Sequence, residues 1–105
     1  MLVLPNKSIV IWERFLRENK VLVYKYIVQK VKSGIENNTE TIPLFKLEDE
    51  SMRTWIEKEN FPITLSNALE VFIKAEEYEY AAKTKKIINM YYINKLIKES
   101  IEIPE

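Results

Sequence analysis

The side chains able to do chemistry in this chain are almost all carboxylates and amines, because it has no histidine and no cysteine. The usual thiolate nucleophiles, imidazole bases and transition-metal ligands are therefore missing. Glu48, Asp49 and Glu50 form the densest carboxylate run and could bind a divalent cation through oxygen. Consecutive residues of a helix point in different directions, however, and acidic residues are ordinary at a helix N-terminus. We predict no catalytic residue, no metal site and no cofactor, and so no enzyme.

A second group of carboxylates surrounds two tyrosines at residues 76–80. Three close carboxylates repel one another, and a basic partner would relieve that repulsion. Tyrosine is enriched at protein interfaces, and two tyrosines spaced two apart on a helix cannot share a face, so one is expected to be exposed. The alternative is ordinary amphipathic packing beside a solvated acidic turn. The predicted partner-binding residues are Glu76, Glu77, Tyr78, Glu79, Tyr80 and Lys83.

Composition favours a single helical domain. The 105 residues are 47% hydrophobic, which is enough for one core, and only one is glycine, so few tight β-turns are expected. No apolar run has the length of a membrane helix, and the N-terminus does not resemble a signal peptide. We therefore expect an all-α, cytoplasmic protein without a membrane partner.

Apolar spacing predicts about four helices and one ordered extended loop. The first helix spans residues 8–33, capped by Asn6 or Ser8 and ended by Gly34, although the β-branched and aromatic residues 21–28 could instead form a strand. Residues 35–46 form the loop, whose apolar part lies across the core as a strap. A second helix covers residues 48–59.

A third helix begins after Thr64 or Ser66, a break falls near residues 76–77, and a last helix leads to a frayed tail at residues 101–105. Apolar residues recur along each helix at spacings of three and four, which predicts that one face of each helix is buried. The expected core residues include Trp12, Trp55, Leu69 and Ile88.

Residues 72–88 resemble the UVR motif, the helical hairpin of the excision-repair proteins UvrB and UvrC. The run from Glu77 to Ala82 matches an acidic residue, an aromatic, Glu, any residue and two alanines, and Ile88 falls where the motif closes with Ile. Lys85 and Lys86 replace the Arg-Asp pair of the family, and Thr84 replaces a Leu or Ile. The resemblance implies association between helices without enzymatic activity, and a generic helical hairpin remains the alternative.

These observations favour a non-enzymatic module that binds another protein, such as a small accessory or phage-type regulator of a larger machine. One alternative is a nucleic-acid-associated factor that uses Arg14, Arg17, Lys83 and Lys86. The zero net charge provides little of the basic surface that phosphate binding requires. A homo-oligomeric structural protein is the other alternative, suggested by the long apolar stripe of the first helix.

Overall fold

A computed structural model describes residues 1–102 and contains four α-helices and a three-stranded sheet in that part of the chain. The elements in chain order are β1 (Leu2–Leu4), α1 (Ile9–Glu18), α2 (Lys20–Glu36), β2 (Thr41–Leu47), β3 (Arg53–Glu57), a 3-10 turn (Lys58–Asn60), α3 (Phe61–Lys74) and α4 (Tyr78–Glu102). The protein is 67% helical, but the sheet makes the all-α prediction wrong. Residues 101 and 102 belong to α4, and the rest of the predicted tail lies outside the described residues.

The predicted helix over residues 48–59 is wrong, because this segment forms a hairpin turn followed by β3. Met52, Trp55 and Ile56 have helical spacing, but Thr54 and Ile56 alternate with exposed residues, as in a half-buried strand. The turn before β3 contains Glu50, which adopts the left-handed conformation with φ 61°. The backbone N–H of Glu50 donates to the carbonyl of Leu47 and closes this turn.

β2 is the central strand, pairing parallel with β1 and antiparallel with β3. The predicted extended strap is therefore the middle of a mixed sheet. Pro43 is tolerated there because β1 pairs only with Phe45–Leu47, and a register shift falls between Pro43 and Phe45. This bulge allows the consecutive residues Leu44 and Phe45 both to be buried.

The first predicted helix is two helices that meet at Asn19. The Asn19 side-chain amide donates to the carbonyl of Phe15 at 2.8 Å, and the Asn19 backbone N–H donates to the same carbonyl at 3.0 Å. An asparagine that bonds the backbone in this way competes with continued helix. Ser8 caps α1, as predicted, through a hydrogen bond from the N–H of Val10. Residues 21–28 lie within α2, so the strand alternative is wrong.

Gly34 does not end a helix. It is a buried residue of α2, at a point where the helix packs closely on β2. A Cβ at this position would lie 2.6 Å from Cδ1 of Ile42. The helix ends at Glu36, and Asn38, two residues later, adopts φ 53° and allows the N–H of Thr39 to donate to the carbonyl of Gly34.

The core lies between the sheet and the layer formed by α2, α3 and α4. Its most deeply buried side chains are those of Phe61, Phe72, Leu65, Val28, Val31 and Thr84. The prediction of Trp55 as a core residue is wrong, because it sits on the outer side of the edge strand β3 with 58% of its surface exposed. Trp12, Leu69 and Ile88 are partly buried against the core.

Two threonines with buried hydroxyl oxygens give matched substitutions that are expected to change stability in opposite directions. Thr54 Oγ1 is buried with no hydrogen-bond partner among the described residues, whereas Thr84 Oγ1 donates to the carbonyl of Tyr80 at 2.7 Å. An unsatisfied buried hydroxyl costs about 1–3 kcal/mol, and a made hydrogen bond contributes about 1 kcal/mol. We expect Thr54→Val to raise the free energy of unfolding and Thr84→Val to lower it, as measured by urea denaturation. A loss of stability in Thr54→Val would contradict this assignment.

Candidate protein-interaction site

The predicted acidic and aromatic turn joins α3 to α4, so the sequence located this break correctly. α3 begins at Phe61, several residues before the predicted caps, with Pro62 in its first turn. It ends at Lys74, and Glu76, two residues later, adopts the left-handed conformation at φ 59°. The N–H of Glu77 donates to the carbonyl of Phe72 at 2.8 Å, and the N–H of Glu76 donates to that of Ile73 at 3.1 Å. This hydrogen-bond pattern reverses the chain and sets α4 against α3.

Most of the charge at this turn is neutralised within the protein. Glu77 accepts a hydrogen bond from Lys25 Nζ of α2 at 3.3 Å, and Glu79 lies 3.7 Å from Lys83 Nζ. The ammonium groups of Lys25 and Lys83 also lie 4.5 and 4.9 Å from the ring centre of Tyr80. A basic partner is therefore not required to relieve repulsion among these carboxylates.

The six predicted partner-binding residues consequently divide into two groups. Glu77, Glu79, Tyr80 and Lys83 make the internal contacts just described, and the Tyr80 ring packs on Phe72 with 5.5 Å between centroids. Glu76 forms no ion pair with any described residue, and Tyr78 is 64% exposed. The structure leaves Glu76 and Tyr78 as the residues most available to a partner.

The four basic residues of the nucleic-acid alternative lie on two helices. Arg14 and Arg17 are exposed on α1, and Lys83 and Lys86 are exposed on α4. Lys83 is already paired with Glu79, whereas Arg14 and Arg17 form no ion pair with any described residue. No single helix therefore carries all four charges.

A larger exposed apolar surface was missed by the sequence reasoning. α1 has no buried residue, although most of its positions are apolar. Half of the large apolar side chains exposed in the described part of the chain fall within residues 1–22, which we call the N-terminal patch: Met1, Leu2, Val3, Ile9, Val10, Ile11, Phe15 and Leu22. The available signal was Ile9, Val10 and Ile11, three consecutive apolar residues that cannot share one helical face.

Few contacts hold the N-terminal patch to the rest of the protein. Trp12 Nε1 donates to the carbonyl of Pro5 at 3.0 Å, which folds α1 back toward β1. Asn6 Oδ1 accepts from the N–H of Asp49 at 2.9 Å and ties the segment to the β2–β3 turn. Trp12 and Leu16 are the α1 side chains that pack against the core, so the exposed apolar residues have no partner there.

The start of α2 connects the N-terminal patch to the α3–α4 turn. α2 follows α1 after a single residue, and its first turns reach the turn through the Lys25–Glu77 ion pair. A shallow groove of about 500 Å³ lies between the start of α2 and the end of α3. Val21 and Tyr24 line one side of it, and Lys74 and Ala75 line the other. We call the N-terminal patch, the start of α2 and the α3–α4 turn together the association end.

The carboxylate run at residues 48–50 forms the β2–β3 turn rather than a helix N-terminus. Hydrogen bonds from the hydroxyl and the backbone N–H of Ser51 hold the pKa of Asp49 below its ordinary value. Glu50 lies 3.2 Å from Lys46 Nζ and 3.6 Å from Arg53. The described residues contain no cluster of three potential metal ligands.

Comparisons with known proteins provide no identity for the chain: no family model, no curated protein and no solved structure matches it. Within residues 1–102, no helix combines the length and the apolar character that a membrane crossing requires.

Proposed function

We propose that this protein is a non-enzymatic association module that binds another protein through its association end. The observation that supports this most directly is α1, a helix of ten residues in which no side chain is buried. Apolar side chains exposed together are rare on monomeric proteins and commonly mark interaction sites. The apolar composition of a helix with so few internal contacts is better explained by binding to a partner than by packing within the fold.

The charges beside the patch indicate the chemistry of the partner. Arg14, Arg17 and Lys20 are exposed, and none of them pairs with a carboxylate of the described chain. A complementary surface would present an apolar groove or helix edged by carboxylates, which would also increase the rate of encounter. Phe15 is the aromatic residue best placed to enter such a groove, because aromatic side chains dominate the energetics of interfaces.

The α3–α4 turn contributes the edge of this surface in the proposal. Tyr78 is exposed beside Glu76, which has no intramolecular counterion among the described residues. The resemblance of residues 72–88 to the UVR motif supports the same kind of function, since that hairpin associates with other helices. The family relationship itself remains a proposal.

The test is affinity capture from the native cell extract, treated with nuclease and quantified by mass spectrometry. We expect the wild type to retain a defined protein. Phe15→Glu should reduce the retained amount at least about tenfold, because a charged side chain would replace an aromatic one at the interface. Tyr78→Ala should weaken capture less, and raising the salt concentration should weaken it through Arg14 and Arg17.

Ile63→Glu is the matched control, since Ile63 is an exposed apolar residue at the start of α3, at the opposite end of that helix from the α3–α4 turn. It should retain the captured protein, and both variants should melt close to the wild type because neither side chain is buried. Equal capture by Phe15→Glu and the wild type would refute the proposed surface. Loss of capture only after nuclease treatment would favour the nucleic-acid alternative.

A further inference from the structure

β3 is an edge strand, so one of its two sides faces no other strand of the described sheet. The carbonyl of Met52, just before the strand, accepts a hydrogen bond from the N–H of Leu47. The N–H of Lys58, just after the strand, donates to the carbonyl of Glu40. Backbone groups alternate in direction along a strand, and β3 contains no bulge, so its even-numbered residues bond β2. The backbone groups of its odd-numbered residues therefore face the open side: Arg53, Trp55 and Glu57.

The open side of β3 lacks the features that keep edge strands apart. Edge strands are commonly protected by proline, by a bulge or by charges of one sign, such as lysines. β3 contains no proline, and the register shift of the sheet lies on β2. Its two charged residues, Arg53 and Glu57, have opposite signs and lie on the same exposed face as Trp55. A strand of this composition can pair with another strand without bringing like charges together.

The two charged residues of β3 differ in their partners within the chain. Arg53 lies 3.6 Å from Glu50, and the same carboxylate lies 3.2 Å from Lys46. Lys46 is also the residue that faces Arg53 across the β2–β3 pair, so two cations share one carboxylate. Glu57 forms no ion pair with a described residue. A second carboxylate beside Arg53, and a cation beside Glu57, would each be favourable.

We infer that two copies of this chain associate edge to edge, with their β3 strands paired antiparallel about a twofold axis at Trp55. Arg53 and Glu57 each lie two residues from Trp55, so each Arg53 faces the Glu57 of the other copy. The two Trp55 residues face each other on the exposed side of the sheet. The odd-numbered residues become the hydrogen-bonded pairs of this ladder, which is the role that their outward backbone groups fit.

The charges select both the occupant and the register. A shift of the pairing by two residues in either direction would place Arg53 or Glu57 opposite Trp55 and lose both charge pairs. A parallel pair in the same register would place Arg53 beside Arg53. The twofold contact joins the two three-stranded sheets into one of six strands, with both helical layers on the same face. Because the contact is isologous, it uses both β3 edges and stops at a dimer.

Analytical ultracentrifugation of charge-reversal variants tests this arrangement. The wild type should dimerise with a dissociation constant on the order of 100 µM, because two five-residue strands bury less area than a standard interface. Arg53→Glu and Glu57→Arg should each raise this constant at least about tenfold, since each places two like-charge pairs in the dimer. An equimolar mixture of the two variants should form a heterodimer about as stable as the wild-type dimer, because the opposite charges face each other again.

Amide hydrogen exchange provides a test without substitutions. The N–H groups of Trp55 and Glu57 should exchange quickly at low protein concentration and severalfold more slowly above the dissociation constant. Those of Thr54 and Ile56, which bond β2, should be protected at both concentrations and are the internal control. At low micromolar concentration the chain is monomeric, so free energies of unfolding measured there are those of the monomer.

Three results would overturn the inference: a wild type that stays monomeric at about ten times the expected constant, single variants that dimerise as the wild type does, or a mixture that does not associate. Circular dichroism should show that both single variants melt close to the wild type, since both side chains are exposed. Glu57→Arg should still retain the protein captured through the association end, and Phe15→Glu should still dimerise. This inference and the proposed function can therefore fail separately.

Discussion

Phe72→Ala is expected to cost about 3–5 kcal/mol of the free energy of unfolding, a large part of the stability of a domain this size. Phe72 of α3 is fully buried, and its ring packs against Tyr80 of α4. Its removal leaves a cavity between the two helices that form the hairpin, and neighbouring side chains can fill such a cavity only in part. Urea denaturation followed by circular dichroism gives the change directly.

Trp55→Ala is the matched comparison, because it removes a larger ring from an exposed position. We expect a loss below about 1 kcal/mol, since surface substitutions away from special features have small effects. This comparison distinguishes the structure, in which Trp55 is exposed, from the sequence-based prediction, in which Trp55 belongs to the core. If Trp55→Ala destabilised the protein as much as Phe72→Ala, the placement of β3 at the sheet edge would be wrong.

Substitutions at Gly34 should destabilise the protein in order of side-chain size. A Cβ there would lie 2.6 Å from Cδ1 and 2.9 Å from Cγ1 of Ile42, and 3.4 Å from Cζ of Phe61. Overpacking costs about 1–3 kcal/mol, and the higher helix propensity of alanine returns up to about 1 kcal/mol. We expect Gly34→Ala to lose about 1 kcal/mol and Gly34→Val about 3 kcal/mol.

Two further variants identify the cause of that loss. Ile42→Val removes the closest atom and should recover part of the stability of Gly34→Ala when the two are combined. Ser33→Ala, at the exposed position next to Gly34, should leave stability unchanged or slightly raised. Stabilisation by Gly34→Ala alone would show that α2 and β2 are farther apart than the structure places them.

Helical periodicity predicted α3, α4 and the helical character of residues 8–33, although not the division of that segment at Asn19, and it placed the break before Tyr78 correctly. It failed for residues 48–59 because Met52 and Ile56 also lie on one side of a strand once Thr54 is counted as inward-facing, which leaves Trp55 on the outer side. The turn signal was present in Asp49 and Ser51, which favour turns through local hydrogen bonds. The scarcity of glycine misled the prediction, since Glu50 and Asn38 adopt left-handed conformations without it.

The candidate site was predictable only in part. The sequence correctly indicated an exposed tyrosine beside carboxylates, and Tyr78 occupies that position. It could not show that Lys25, more than fifty residues earlier, neutralises Glu77, because that contact depends on the tertiary packing of α2. The exposure of the N-terminal patch was missed although Ile9, Val10 and Ile11 signalled it, because the prediction of one helix through Asn19 assigned Ile9 and Phe15 to a buried stripe.

The pairing of β1 with β2 joins segments that are far apart in the chain, and this separation has a consequence for motion. Leu4 pairs with Leu47, so the contact closes a loop that contains both α1 and α2. Contacts of this kind are entropically costly, and within residues 1–18 only Leu4 is buried to secure them. Residues 1–18 can therefore open as a local unit while the helical layer stays folded. A partner that binds the N-terminal patch would bind the opened segment and would order it on contact.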